Sequence, residues 1–198
     1  MTLPNQLTVL RIILSPIFLF FFLSDVILMK QISVAIYIVA ALSDWYDGWL
    51  ARKFNYITSW GKFWDPLADK ILTSTAFIGF AIVDLIPCWM VIIIVGRDVL
   101  ITLLRVFADM KNYAFTTNYY AKWKTMLQMV FLYYLLVLYV AQFTPEISSK
   151  YGNLISLLLN KELIFFIALL ITVITFHSGI LYIIRNWKII TKLLKIEN

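Results

Sequence analysis

Four aspartates carry the chemistry legible in this sequence. They fall in two segments, Ser43-Asp44-Trp45-Tyr46-Asp47-Gly48-Trp49-Leu50-Ala51-Arg52 and Gly61-Lys62-Phe63-Trp64-Asp65-Pro66-Leu67-Ala68-Asp69-Lys70. In helices, Asp44 and Asp47, three apart, share one face, and Asp65 and Asp69, four apart, share another. The connection between the segments is short, so the two faces can converge. Four crowded carboxylates repel one another and take up protons unless a cation joins them. Hard divalent ions such as Mg²⁺ or Mn²⁺ prefer carboxylate oxygens, and neither Cys nor His lies nearby in the sequence. Such an ion goes naturally with a diphosphate, whose charge it neutralises and whose leaving oxygen it stabilises.

The neighbours fit that use. Gly48 inside a helix costs up to about 1 kcal/mol relative to Ala, which a close approach by a ligand or a neighbouring helix would explain. Gly61 stands one turn before Asp65, and Arg52 can offer a bidentate guanidinium to phosphate. Taken singly, these residues also have structural readings. Asp65-Pro66 reads as an N-cap followed by proline at the first helical position. Asp44 or Asp47 alone can pair with Arg52. It is the joint spacing that favours a site.

The elements that must hold these groups are apolar helices. The 198 residues are 62% hydrophobic and only 14% charged, too apolar for a soluble core with polar cover. Apolar runs extend approximately over Leu7 to Met29, Ile32 to Phe54, Pro66 to Leu85, Trp89 to Phe107, Lys124 to Phe143 and Leu163 to Trp187. A span needs about 20 such residues. The expectation is an all-α integral membrane bundle of six transmembrane helices, a single domain over residues 1–198. The stretch Pro145 to Glu162 reads as a longer polar connection. The first run continues without a small-residue cleavage site, so it is expected to be a span and not a removable leader.

Basic residues set the orientation. Lys30, Lys150 and Lys161 stand on one side of the expected bundle, and the other 14 of the 17 Lys and Arg residues on the opposite side. The positive-inside rule then makes both termini cytoplasmic, together with the aspartate end of the bundle. The net charge of +6 comes from helix ends and not from a basic face on a soluble domain, so nucleic acid is not expected as a partner. The tail Arg185, Lys188, Lys192, Lys195 reads either as a surface-lying amphipathic segment or as a stop-transfer flank. Trp60, Trp64, Trp123 and Trp187 read as interfacial anchors. Cys88, the only cysteine, excludes a disulfide framework and reads as a small buried hydrophobe. His177, beside Ser178 and Gly179, reads as a cavity lining or interhelical hydrogen bond, with a role near substrate as the alternative.

The pattern Asp-x2-Asp-Gly-x2-Ala-Arg-x8-Gly-x3-Asp-x3-Asp, filled by Asp44, Asp47, Gly48, Ala51, Arg52, Gly61, Asp65 and Asp69, resembles the signature of the CDP-alcohol phosphatidyltransferases at every position. The six-helix layout extends the resemblance over nearly the whole chain. It implies that Asp44, Asp47 and Asp65 ligate two divalent ions, Mg²⁺ or Mn²⁺, with Asp69 near the second. Asp69 would also be the catalytic base that takes the proton of an acceptor hydroxyl. Gly48 and Gly61 would leave room for the cytidine nucleotide of a CDP-linked lipid, Arg52 would meet its phosphates, and Asn5 and Thr8 would help hold it. The sequence shows no activated-nucleophile motif, so the expected course is direct attack with inversion at phosphorus.

Three further stretches, Pro4 to Ile12 with Pro16, Gly96 to Arg105, and Ala121 to Met129, resemble the branch of that family whose acceptor is glycerol 3-phosphate and whose lipid donor is CDP-diacylglycerol. A phosphorylated acceptor needs fixed cations, and Arg97, Arg105, Lys122 and Lys124 are the candidates, with ordinary positive-inside flanking as their structural reading. Asp98 stands where that branch often has Glu, and Ala121 where it often has Gly. Other acceptors of the same family (inositol phosphate, serine, phosphatidylglycerol) and, outside it, a cation transporter using the four aspartates are the alternatives. Family analogy also suggests a homodimer among membrane lipids in the inner, cytoplasmic membrane.

Overall fold

The computed structural model describes residues 3–54, 59–111, 113, 115 and 119–195, with side chains at 3, 4, 44, 45, 47–54, 59, 60, 62, 194 and 195 outside the description. Among the described residues there are seven helices and no strand. They are α1 Leu3–Phe22, α2 Ile27–Phe54, α3 Ser59–Ile82, α4 Cys88–Met110, α5 Tyr119–Phe143, α6 Pro145–Leu158 and α7 Lys161–Lys195.

Neighbouring helices close a ring in the order α1, α2, α5, α7, α4, α3 and back to α1, and α6 lies against α5. One stripe of α1 shows how the ring is filled. Asn5, Thr8, Arg11, Ser15, Phe18 and Phe22 recur at helical spacing and are all buried. The stripe is polar towards the N-terminus and aromatic towards the C-terminus, so one end of the bundle is built for chemistry and the other for packing. At the packed end, Phe22 meets Phe80 of α3 edge-on at 5.7 Å between centroids and Tyr139 of α5 at 5.0 Å. Gly79 makes the close α1–α3 approach possible: a Cβ there would stand 3.1 Å from the Phe22 ring and 3.2 Å from Leu19. Asp84, with φ 56°, turns the chain out of α3, and Leu85 N–H reaches back to the Phe80 carbonyl at 2.9 Å.

The outward faces are apolar. Phe20, Ile92, Val130, Phe166 and Ile184 are each more than 60% exposed, a surface suited to lipid and not to water. Among the described residues, three helical stretches are long and apolar enough to cross a membrane: Asn5–Phe22, Tyr119–Phe143 and Lys161–Leu193. In contrast, α3 and α4 carry Asp65, Asp69, Lys70, Arg97, Asp98 and Arg105 within their length, which dilutes their apolar signal. Among the described residues the molecule is all-helical, and its apolar helices are those of a membrane bundle.

Three expectations need correction. First, α3 begins at Ser59, so Pro66 lies inside the helix and Asp65 is not its N-cap. Second, the connection after α5 folds as α6, with Thr144 at the N-cap position, Pro145 opening the helix and Glu146 in its first turn. Its exposed Ile147, Leu154 and Leu157 are spread among polar residues, and the helix kinks at Tyr151. Third, Cys88 is exposed, because the first residue of α4 faces outward beside an apolar groove. The tail is continuous with the last helix, since α7 runs unbroken to Lys195.

Candidate active site

The polar end of the ring gathers residues from five helices. On α3, Asp65 and Asp69 follow one another by one turn, both partly exposed. Thr8 of α1, itself fully buried, donates its hydroxyl to Asp65 Oδ1 at 2.5 Å. Asn5, one turn earlier on α1, and Gly61, one turn before Asp65, are buried as well. Asp44, Asp47, Gly48 and Arg52 stand on the last turns of α2, which packs on both α1 and α3, but their side chains lie outside the described residues. Accordingly, no cluster of three or more possible metal ligands occurs among the described residues. The described pair offers carboxylate oxygens only, and the Asp69 side chain is 32% exposed at a cavity. That donor set fits a hard divalent ion.

The cavity has a volume of about 500 Å³ and opens between α3, α4, α5 and α7, with Asp69, Lys70, Arg97, Arg105, Lys122 and Tyr182 on its wall. One carboxylate thus faces four cationic side chains, a field that favours an anion. Arg97 is held from two sides. Its Nη1 donates to Asp98 Oδ1 and its Nη2 to Ser178 Oγ on α7, each at 2.9 Å. Gly179 lets the Arg97 stem pass, since a Cβ there would stand 3.0 Å from Arg97 Cγ. The Arg105 guanidinium lies 5.8 Å from the Tyr182 ring, and the exposed Lys122 ammonium lies 5.4 Å from the Tyr119 ring.

Of the four cations expected at the acceptor, Arg97, Arg105 and Lys122 share this cavity with Asp69. Lys124 does not line it. Its side chain is wholly buried, and its ammonium donates to Asp98 Oδ1 at 2.5 Å. Lys70, not singled out in the sequence, sits between two carboxylates, 3.7 Å from Asp69 Oδ2 and 3.8 Å from Asp98 Oδ2. Asp98, Ser178 and Tyr182 also belong to the site. The available signals were the position of Lys70 directly after Asp69 and the intramembrane polar cluster around His177. His177 Nδ1 makes the expected interhelical contact, 3.3 Å from the Tyr120 hydroxyl.

A CDP-alcohol phosphatidyltransferase family model matches residues 1–175. A Rickettsia bellii protein named CDP-diacylglycerol–glycerol-3-phosphate 3-phosphatidyltransferase is 36% identical over 179 residues, which is 89% of this chain and 92% of that protein. Its namesake in Rickettsia typhi is 34% identical over 179 residues, 89% of this chain and 93% of the relative. The Bacillus subtilis protein of the same name is 39% identical over 140 residues, 65% of this chain and 72% of the relative. Both the extent of the family match and the coverage of these relatives place the chain in one family: it is a CDP-alcohol phosphatidyltransferase.

Proposed function

We propose that this enzyme transfers the phosphatidyl group of CDP-diacylglycerol to glycerol 3-phosphate, giving phosphatidylglycerophosphate and CMP. The observation that carries the reading is the shared cavity in which Asp69 faces Lys70, Arg97, Arg105 and Lys122. A dianionic acceptor finds its counter-charge there, within reach of a base. The names of the relatives support the same donor and acceptor.

In this reading Asp44, Asp47, Asp65 and Asp69 hold two divalent ions, Mg²⁺ or Mn²⁺, which when bound neutralise the diphosphate and stabilise the departing oxygen of CMP. Thr8 fixes Asp65 through its hydroxyl, so α1 orients a ligand on α3. Asn5, Gly48, Arg52 and Gly61 form the nucleotide side of the site, with Thr8 beside them. Arg97, Arg105 and Lys122 receive the acceptor phosphate, and Lys124 supports them from below. Asp69 accepts the proton of the acceptor hydroxyl as its oxygen attacks the phosphatidyl phosphorus. The bond from that phosphorus to the CMP oxygen breaks in the same displacement, with inversion.

The whole chain forms one domain in this proposal, with α1 to α5 and α7 as six spans. The 14 bases on the aspartate side support a cytoplasmic location for that end and both termini. A homodimer in the inner, cytoplasmic membrane is the expected assembly.

Purified enzyme supplied with CDP-diacylglycerol, Mg²⁺ and labelled glycerol 3-phosphate, glycerol, inositol phosphate or serine in parallel tests the reading. Lipid-linked label from glycerol 3-phosphate alone, lost in Asp69→Asn, is the expected result. Label from another acceptor instead would overturn the acceptor while leaving the family intact.

A further inference from the structure

Asp98 is 3% exposed, yet three cations from three helices converge on it. Arg97 of α4 and Lys124 of α5 both donate to Oδ1, and Lys70 of α3 faces Oδ2 at 3.8 Å. Lys70 also faces Asp69 at 3.7 Å, so three positive charges against two carboxylates leave the cluster with an excess of one. Buried excess charge is costly in a low-dielectric interior unless an anion joins it. Two of the three cations, Lys70 and Arg97, reach the cavity wall, whereas Asp98 and Lys124 do not. The carboxylate therefore touches no ligand in the cavity and can act on one only through its partners.

We propose that Asp98 is a positioning residue for the acceptor: a buried counter-ion that holds Lys70 and Arg97 at the cavity wall, braced by Lys124, so that a dianionic phosphate meets a preformed cradle. Lys70 becomes a further phosphate-binding cation, and Ser178 with Gly179 forms the second seat of Arg97. Preformed donors hold their geometry before the ligand arrives, which lowers the ordering cost of binding. The inference rests on glycerol 3-phosphate as acceptor and assigns how the site selects its phosphate.

The test compares kcat and the KM of each substrate for wild type, Asp98→Asn, Asp98→Glu, Lys70→Met and Ser178→Ala in the full-length, detergent-purified enzyme. Asp98→Asn is expected to raise KM for glycerol 3-phosphate roughly tenfold or more. KM for CDP-diacylglycerol should stay within about twofold, and Asp98→Glu should recover part of the loss. Ser178→Ala and Lys70→Met should raise the same KM by about three- to tenfold. A purely structural role would lower the active fraction, and so kcat, without moving one KM selectively. An unchanged glycerol 3-phosphate KM in folded Asp98→Asn, or equal losses for both substrates, overturns the inference. If Asp98→Asn does not fold, Lys70→Met and Ser178→Ala decide in the same way. Wild-type enzyme that ignores glycerol 3-phosphate overturns the proposed reaction and this inference together, whereas wild-type use of it with unmoved variants overturns the positioning role alone.

Discussion

Thr8 of α1 and Asp65 of α3, 57 positions apart in sequence, are joined by a hydrogen bond of 2.5 Å in which the threonine hydroxyl donates to Oδ1. The bond does two things at once. It ties the polar half of the α1 stripe to the aspartate face of α3, and it fixes the orientation of a carboxylate proposed to ligate metal. Loss of an outer partner of a metal ligand typically costs about 10–100-fold in metal affinity or activity. Thr8→Val, which keeps the volume and removes the hydroxyl, should therefore lower activity by about that factor at limiting Mg²⁺ and recover in part at high Mg²⁺. Thr8→Ser should stay close to wild type. A Mg²⁺ titration of initial rates for the three proteins checks this, and equal metal dependence of Thr8→Val and wild type would count against it.

Metal removal should act on binding as well as on rate. Chelation is expected to abolish CMP release, with recovery on adding Mg²⁺ or Mn²⁺. In thermal unfolding, CDP with Mg²⁺ should stabilise the protein by about 2.7 kcal/mol at a hundredfold excess over Kd, and Mg²⁺ alone by less. A transporter with the four aspartates as its ion site would respond fully to the ion by itself.

Arg97 spends its two terminal nitrogens on different helices, one on Asp98 and the other on Ser178. A lysine presents one point charge and cannot span both seats. Arg97→Lys should therefore raise the KM for glycerol 3-phosphate by about tenfold although the charge is kept. Lys122 is exposed and, among the described residues, rests only near the Tyr119 ring, so Lys122→Ala should cost less, about threefold. Steady-state kinetics with glycerol 3-phosphate as the varied substrate rank the two, and the reverse order would contradict the geometry.

The spacing of Asp44, Asp47, Asp65 and Asp69 made the family legible from the sequence, because eight fixed positions within 26 residues leave little to coincidence. The apolar runs gave all the long helices with displaced ends. What was not legible arose where two readings compete locally. Asp65-Pro66 looks like a helix start, yet the helix begins earlier, at Ser59, and the Asp65 carboxylate accepts from Thr8 of α1 instead of capping its own helix. Thr144-Pro145-Glu146 carried the signals of a helix start, but serines, glycine and asparagine further along suggested a loop. The side of a helix on which a cation falls is fixed by its neighbours: Lys122 and Lys124 are two residues apart, and one lines the cavity while the other is wholly buried on Asp98. That division needs α4 beside α5, which no local pattern states.

Gly79 tests the packed end of the ring. A Cβ there would stand 3.1 Å from the Phe22 ring, which is itself fixed by Phe80 and Tyr139. Overpacking of this kind costs about 1–3 kcal/mol. Gly79→Val should lower the midpoint of thermal unfolding in detergent while leaving both KM values unchanged, because the site lies at the other end of the helices. A selective KM change would mean that the two ends are coupled.

Cys88 allows a test of orientation without introducing a label site. It is the only cysteine in the chain, it is exposed, and it opens α4 at the end opposite Arg105. If the aspartate end faces the cytoplasm, as the distribution of basic residues implies, Cys88 stands at the outer boundary of the membrane. A membrane-impermeant maleimide should then modify it in intact spheroplasts and fail to do so in sealed inverted vesicles. A detergent-solubilised sample sets the maximum extent of labelling. Activity should survive the modification, since the sulfur is on the far side of the bundle from Asp69. Labelling only in inverted vesicles would reverse the topology and place the proposed cation cradle on the outer side, where a cytoplasmic phosphorylated acceptor could not reach it.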